Sequence, residues 1–203
     1  MKKSILLPGI VVVMMVINAC STTPHEINSE KMDSSWKGQP FKNVLIVGLY
    51  EDRPSRISGE VSFTDELKSK GVTASPSYDV FPDLNVLKDA AAVRKTAVSK
   101  GFDGILTVAT TDVNEKYTYE DALETDGWVY LLGGKPGAAT DTGVLISALS
   151  SGTFALHIAL WDASSQKLVW QVTTDSVIQD SASDEIKSLA DLVVQKLRAK
   201  GLI

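Results

Sequence analysis

Residues 41–49 read FKNVLIVGL, a nearly continuous apolar run of strand length. A strand covered on both faces of a sheet has this composition, whereas a half-exposed strand alternates apolar and polar residues. The polar stretch that follows, residues 50–56, predicts a loop. The run therefore predicts a buried strand in a sheet that carries helices on both sides.

Helical and strand-like segments alternate after this run. Residues 55–70 predict a helix that ends before a glycine, and residues 72–80 predict a weaker strand, which Pro76 places at a sheet edge. Residues 86–100 predict a second helix and residues 102–109 a third strand. The predicted buried face of the first helix consists of Ile57, Val61, Thr64 and Leu67. This order of elements indicates parallel pairing of the three strands.

The C-terminal part of the chain predicts a hairpin and a helix. Residues 153–161 and 167–173 are strand-like and flank a polar turn, which favours antiparallel pairing. A helix is predicted to begin near Ser183, with acidic residues in its first turn. Residues 41–203 are therefore predicted to form one α/β domain with a mixed sheet: βαβαβ, then a β-hairpin and a C-terminal helix.

The first nineteen residues resemble a secretory signal. Two lysines precede an apolar run that is too short to span a membrane comfortably. The run ends in Ile17-Asn18-Ala19-Cys20, which resembles the lipobox of bacterial lipoproteins. Residues 1–19 are thus predicted to be a lipoprotein signal peptide, and Cys20 to be the lipidated residue. The alternative is an ordinary signal peptide followed by an incidental cysteine.

The residues after Cys20 suggest where the protein resides. Residues 20–40 are mostly polar and lack a period, which predicts a lipidated flexible tether. Ser21 follows the cysteine, at a place where aspartate favours retention in the inner membrane of Gram-negative bacteria. We therefore expect an outer-membrane lipoprotein that faces the periplasm and is bound to the membrane through lipid on Cys20.

Composition excludes several classes of function. Removing residues 1–19 takes away two lysines and no acid, so the net charge of −5 becomes −7. This acidity argues against nucleic-acid binding, which needs lysine and arginine to neutralise phosphates. With two histidines and Cys20 as the sole cysteine, no metal site, cofactor or catalytic triad is expected. His157 is expected to be a packed or half-exposed strand residue.

Several short motifs carry a resemblance to a known group. They are the strand that ends at Gly48, Arg56-x-x-x-Glu60, Gly71, Gly101-Phe102-Asp103-Gly104, and Leu160-Trp161-Asp162-Ala163 with Lys167-Leu168-Val169-Trp170. Together they resemble a group of small bacterial lipoproteins whose domain is similar to the N-terminal domain of TolB and to the periplasmic domains of CsgG and LpoB. The resemblance covers about residues 41–200. It implies a secretion, scaffolding or activator protein rather than an enzyme.

The strongest polar cluster in the sequence is Arg53, Arg56 and Glu60. It follows the first strand, at the carboxyl end where open α/β sheets place ligands. Arg56 and Glu60 are one helical turn apart and can pair. The cluster is either a structural ion pair, which we favour, or a crevice for a small anionic or peptide ligand. If the pair is exposed, Arg56→Ala should cost at most about 1 kcal/mol.

Residues 112–152 join the third strand to the hairpin. A connection of this length is unusual in a compact domain and is often functional. Four of its aromatic residues are predicted to form a surface that binds a partner: Tyr117, Tyr119, Trp128 and Tyr130. An alternative is nearly as strong. The segments that carry these aromatic residues would extend the sheet as strands and bury the rings in the core.

These features predict a non-enzymatic binding or scaffold module, anchored by lipid in the cell envelope, with another envelope protein as its partner. The alternatives are a ligand-binding lipoprotein that uses the Arg53/Arg56 crevice and a peptidoglycan hydrolase. The hydrolase is disfavoured because the sequence lacks catalytic residues.

Overall fold

The computed structural model describes residues 25–49, 53–111, 153–178 and 181–203. The strands are β1 His25–Met32, β2 Asn43–Leu49, β3 Thr73–Pro76, β4 Gly104–Thr111, β5 Thr153–Asp162 and β6 Leu168–Val177. The helices are α1 Arg53–Ser69, α2 Ser77–Val80, α3 Ala90–Ser99 and α4 Ala182–Ala199, with a 3₁₀ turn at Leu84–Lys88. These elements form a mixed α/β fold around one sheet.

Within the described residues, the sheet has six strands in the order β1-β6-β5-β4-β2-β3. Strand β2 pairs in parallel with both β3 and β4. Strands β4, β5, β6 and β1 then pair antiparallel, each with the next. The predicted fold class is confirmed: βαβαβ, then a hairpin and a C-terminal helix.

The two faces of the sheet carry separate apolar clusters. Helices α1 and α4 pack against each other, and their apolar side chains join those of one sheet face, with Phe63, Trp170 and Val193 among them. The cluster on the other face includes Leu45 and Val93, the latter from α3. Val44 and Leu45 of β2 are both buried and belong to opposite clusters, which is why the run at residues 41–49 is apolar without alternation.

Helix ends follow the sequence signals. Ser181 caps α4 by accepting a hydrogen bond from the Asp184 N–H, and Asp89 caps α3 by accepting one from Ala92. Gly71 and Gly101, which follow α1 and α3, have φ of 85° and 80°. This left-handed conformation is readily available to glycine, so both residues end their helices as predicted.

The predicted flexible tether over residues 20–40 is wrong for residues 25–32. His25–Met32 is β1, which pairs antiparallel with β6 along its whole length. The folded domain therefore includes residues 25–32 and is not confined to residues 41–203. The polar composition that suggested a tether is that of an edge strand, where charged side chains discourage pairing with other chains.

Two further expectations need correction. In α1 the buried residues are Arg56, Gly59, Glu60, Phe63, Thr64 and Leu67. Val61 is 37% exposed, so the predicted face was partly misplaced. Residues 72–80 form the edge strand β3 only as far as Pro76, and Ser77–Val80 is a short helix. The missing N–H of proline explains both the edge position and the short strand.

Candidate functional site

Glu60 is the centre of a buried polar network at the carboxyl ends of β2 and β3. Its Oε1 accepts from Arg56 Nε at 2.9 Å, from the Gly48 N–H at 2.9 Å and from Ser77 Oγ at 2.5 Å. Its Oε2 accepts from the Tyr78 N–H at 3.1 Å. One carboxylate thus ties helix α1 to the ends of two neighbouring strands.

Arg56 completes this network. Its Nη2 donates to Ser77 Oγ at 2.6 Å. The guanidinium therefore contacts both Glu60 and Ser77, which are themselves hydrogen-bonded to each other. Arg56 is 2% exposed, while Glu60 and Ser77 are fully buried. A buried arginine and carboxylate are tolerated when they neutralise each other and their remaining groups are hydrogen-bonded. The network occupies the place where a ligand crevice was considered, and its charged groups bind one another.

Arg53, the third residue of the predicted cluster, lies apart from this network. It is the first residue of α1 and is exposed. The structure therefore brings Arg56 and Glu60 together and leaves Arg53 at the surface. Ser77 was missed from the sequence because it was assigned to a strand, and only the end of β3 at Pro76 places it under α1.

A second cluster joins a serine, a histidine and a carboxylate. His25 Nδ1 lies 2.8 Å from Ser176 Oγ, and His25 Nε2 lies 3.8 Å from Glu185 Oε2. The residues come from β1, β6 and α4, so no local sequence spacing could reveal the group. Burial lowers the pKa of His25, and the nearby Glu185 carboxylate only partly opposes this effect.

This cluster has the residue types of a hydrolytic triad but not its geometry. The imidazole–carboxylate distance exceeds that of a hydrogen bond. Ser176 is fully buried, and His25 and Glu185 are 6% and 4% exposed. A nucleophile must reach its substrate, so this arrangement favours a structural role: it fixes the start of β1 to β6 and α4.

A third group fixes the other half of β1. Glu30 accepts from Trp170 Nε1 and Lys196 Nζ, both at 3.0 Å, and Lys200 Nζ lies 3.2 Å away. Burial alone would raise the pKa of Glu30, but these hydrogen bonds lower it overall. Strand β1 is therefore held to the domain by side-chain contacts near both of its ends, in addition to its pairing with β6.

His157 lies in β5 and is 3% exposed. The sequence predicted a packed or half-exposed strand residue, and the structure shows a packed one. Its Nε2 lies 3.0 Å from Gln171 Oε1. Burial lowers its pKa to about 4, against a smaller opposing effect of Gln171. The folded state thus disfavours the charged imidazole, so this residue destabilises the fold progressively as the pH falls from 6.5 towards 4.

Other predicted site residues lie outside the described residues: Cys20 with the signal peptide, and Tyr117, Tyr119, Trp128 and Tyr130. Within the described ranges, no group of three or more His, Cys, Asp or Glu side chains is arranged to hold a metal ion. No helix in this part of the chain is both long and apolar enough to cross a membrane.

Comparisons with known proteins give distant likenesses. No protein-family model and no curated protein match the chain. Two structures of the PelC dodecamer from Paraburkholderia phytofirmans are similar, with TM-scores of 0.48 and 0.45 and identities of 14% and 15%. Each covers 85% of this chain, and 96% and 97% of PelC respectively.

Lipoprotein GNA1162 from Neisseria meningitidis is also similar. The TM-score is 0.38 and the identity 16%, over 77% of this chain and 98% of GNA1162. Likenesses with TM-scores this low carry no argument about function. The resemblance to TolB, CsgG and LpoB domains stays a prediction from the sequence.

Proposed function

We propose that this chain is a lipid-anchored protein of the cell envelope, and that its domain is a non-enzymatic binding or scaffold module in the periplasm with another envelope protein as its partner. The observation that carries the proposal is Ile17-Asn18-Ala19-Cys20, at the end of an apolar run and with the only cysteine of the chain. Lipid on Cys20 would bind the protein to a membrane and remove its one reactive thiol.

The buried polar groups of the described residues are engaged with one another, so under this proposal they have structural rather than catalytic roles. Arg56, Glu60 and Ser77 are bound to one another, and Ser176 is buried against His25. Side chains engaged in this way stabilise the contacts between elements. A ligand-binding function that uses Arg53 and Arg56 loses its main support, because the Arg56 guanidinium is 2% exposed.

The anchor is tested by metabolic labelling. Labelled palmitate should enter the wild-type protein, and Cys20→Ala should abolish the label and leave an unprocessed precursor. Ser21→Ala is the matched control and should keep the label, since the lipid is attached to the neighbouring residue. Equal labelling of wild type and Cys20→Ala would contradict the proposal.

The partner is sought by crosslinking in intact cells. A photoreactive residue is introduced at exposed positions on different elements, such as Ser99 and Lys187, and crosslinked products are identified by mass spectrometry. A scaffold module should give one envelope protein reproducibly from neighbouring positions. Crosslinks scattered from both positions over many unrelated proteins would argue against recognition by a folded surface.

A further inference from the structure

One end of the sheet carries the start of β1. In the register, His25 lies opposite Ser176, and Thr153 lies opposite Val177. The ends of β4 and β2 are at the same level, since β4 ends beside the start of β5 and Leu49 lies opposite Ala109. We call this the anchor end of the sheet: the start of β1 and of β5, and the carboxyl ends of β2, β4 and β6.

The distance from Cys20 to the anchor end is limited by the number of residues between them. Only five peptide units separate Cys20 from His25, the first residue of β1. Even a fully extended chain advances about 3.3–3.6 Å per residue, so this link spans at most about 18 Å. A flexible tether of twenty residues, by contrast, would have a root-mean-square span of about 25 Å and would leave the orientation free.

The short link is effective only if β1 stays attached. Seven residue pairs join β1 to β6, with a bulge between Ile27 and Ser29. His25 contacts Ser176 at the start of the strand, and Glu30 contacts Trp170, Lys196 and Lys200 towards its end. Peeling β1 away would break all of these contacts, so the span of the link is set by residues 20–25.

We propose that the anchor end of the sheet faces the lipid bilayer and the opposite end points away from it. The proposal rests on the proposed lipid anchor at Cys20. Helix α4 then runs away from the membrane, because it begins after the end of β6 and its C-terminal side leads to Leu202, whose carbonyl accepts from the Phe41 N–H before β2. Thr111 and Thr153, between which residues 112–152 are inserted, lie at the membrane-facing end.

Charge does not supply this orientation. Exposed acidic residues Glu26 and Asp184 lie at the anchor end beside exposed Arg53 at the start of α1, and the chain after Cys20 is acidic overall. Acidic groups are not attracted to anionic lipid, so the orientation follows from the length of the link rather than from headgroup binding. It should therefore be present in uncharged bilayers and insensitive to salt.

The experiment compares two positions on one helix in the full lipidated protein. Lipid blocks Cys20, so a cysteine introduced by Ser183→Cys or Ala199→Cys is the only free thiol. Both positions are exposed and both are in α4. Each variant is labelled with a fluorophore and reconstituted into phosphatidylcholine vesicles that contain a headgroup spin-labelled quencher.

The label at Ser183→Cys should be quenched at least about twofold more strongly than the label at Ala199→Cys, because sixteen helical residues separate the positions by about 24 Å. Equal quenching, or stronger quenching at the second position, would overturn the orientation. Inserting twenty Gly/Ser residues after Pro24 lengthens the link to a root-mean-square span of about 27 Å and should reduce the difference. A difference that is unchanged by the insertion would overturn the argument from link length.

Two separate measurements test the lipid anchor itself. Intact mass and flotation with vesicles show whether Cys20 carries lipid and binds the bilayer. Absence of both would overturn the proposed function and this orientation together. A protein that floats with vesicles but shows no difference between the two labels would overturn the orientation alone.

Discussion

Replacing Arg56 with alanine should destabilise the domain strongly. The substitution removes the cation but leaves the Glu60 carboxylate fully buried, with only the Gly48 and Tyr78 N–H groups and the Ser77 hydroxyl as donors. Breaking a buried ion pair by removing one partner typically costs about 3–5 kcal/mol. The limit of about 1 kcal/mol applies to an exposed pair, and this pair is not exposed.

This free energy converts into a large thermal shift. For a domain of this size, 1 kcal/mol corresponds to roughly 2–4 °C in melting temperature, so Arg56→Ala should lower it by roughly 6–20 °C. Circular dichroism during heating measures the midpoint, and urea unfolding at constant m-value gives the free energy. Glu60→Gln should have an effect of similar size, because it leaves the guanidinium buried without a counter-charge.

The matched control lies at the C-terminal end of the same helix, where Lys70 directly follows Ser69, the last residue of α1. Lys70 and Glu66 are also four residues apart, with Nζ and Oε1 2.7 Å apart, but this pair is solvent-accessible. Lys70→Ala should leave the melting temperature almost unchanged, because exposed ion pairs contribute little. If Arg56→Ala and Lys70→Ala had the same small effect, the assignment of Arg56 and Glu60 as a structural pair would be refuted. A folded Arg56→Ala protein without cellular function would favour a ligand site.

Three further outcomes are expected. Glu30→Ala should accelerate amide hydrogen exchange in β1, measured by mass spectrometry, whereas Glu26→Ala on the same strand should not, because Glu26 is exposed. Between pH 7 and pH 5 the His157 imidazole, with its pKa of about 4 in the fold and about 6.5 when unfolded, should cost about 2 kcal/mol of stability. His157→Gln should lose that part of the pH dependence in urea titrations, and an unchanged slope would contradict it. Ser21→Asp should move the protein from outer to inner membrane in sucrose-gradient fractions, and an unchanged distribution would argue against sorting by this residue.

The apolar patterns located most of the fold. Continuous runs marked β2 and β4, and glycines with positive φ marked the ends of α1 and α3. These signals are local, since burial on both faces requires apolar residues at nearly every position and glycine readily adopts the left-handed conformation that ends many helices. The order of elements then gave the parallel and antiparallel pairs.

Helix α1 shows where hydrophobicity alone misleads. Its buried face begins with Arg56 and Glu60, while Val61, the next residue, is 37% exposed. A buried face predicted from the apolar residues alone is therefore displaced from the observed buried face by one position, or about 100° around the helix. The charged residues occupy the buried face because each satisfies the other, and that pairing also needs Ser77, whose position depends on the end of β3.

Strand β1 was missed because a bulge changes the phase of its alternation. Its residues His25 and Ile27 lie opposite Ser176 and Thr174, but after the bulge Glu30 and Met32 lie opposite Val172 and Trp170. The residues that pair with one face of β6 are therefore 25, 27, 30 and 32 rather than every second residue, and a search for period 2 fails. Glu30 itself is recognisable as an inward residue only through Trp170, Lys196 and Lys200, which are distant in sequence. This strand begins five residues after Cys20, so under the proposed lipid anchor its attachment to β6 would keep the domain close to the lipid.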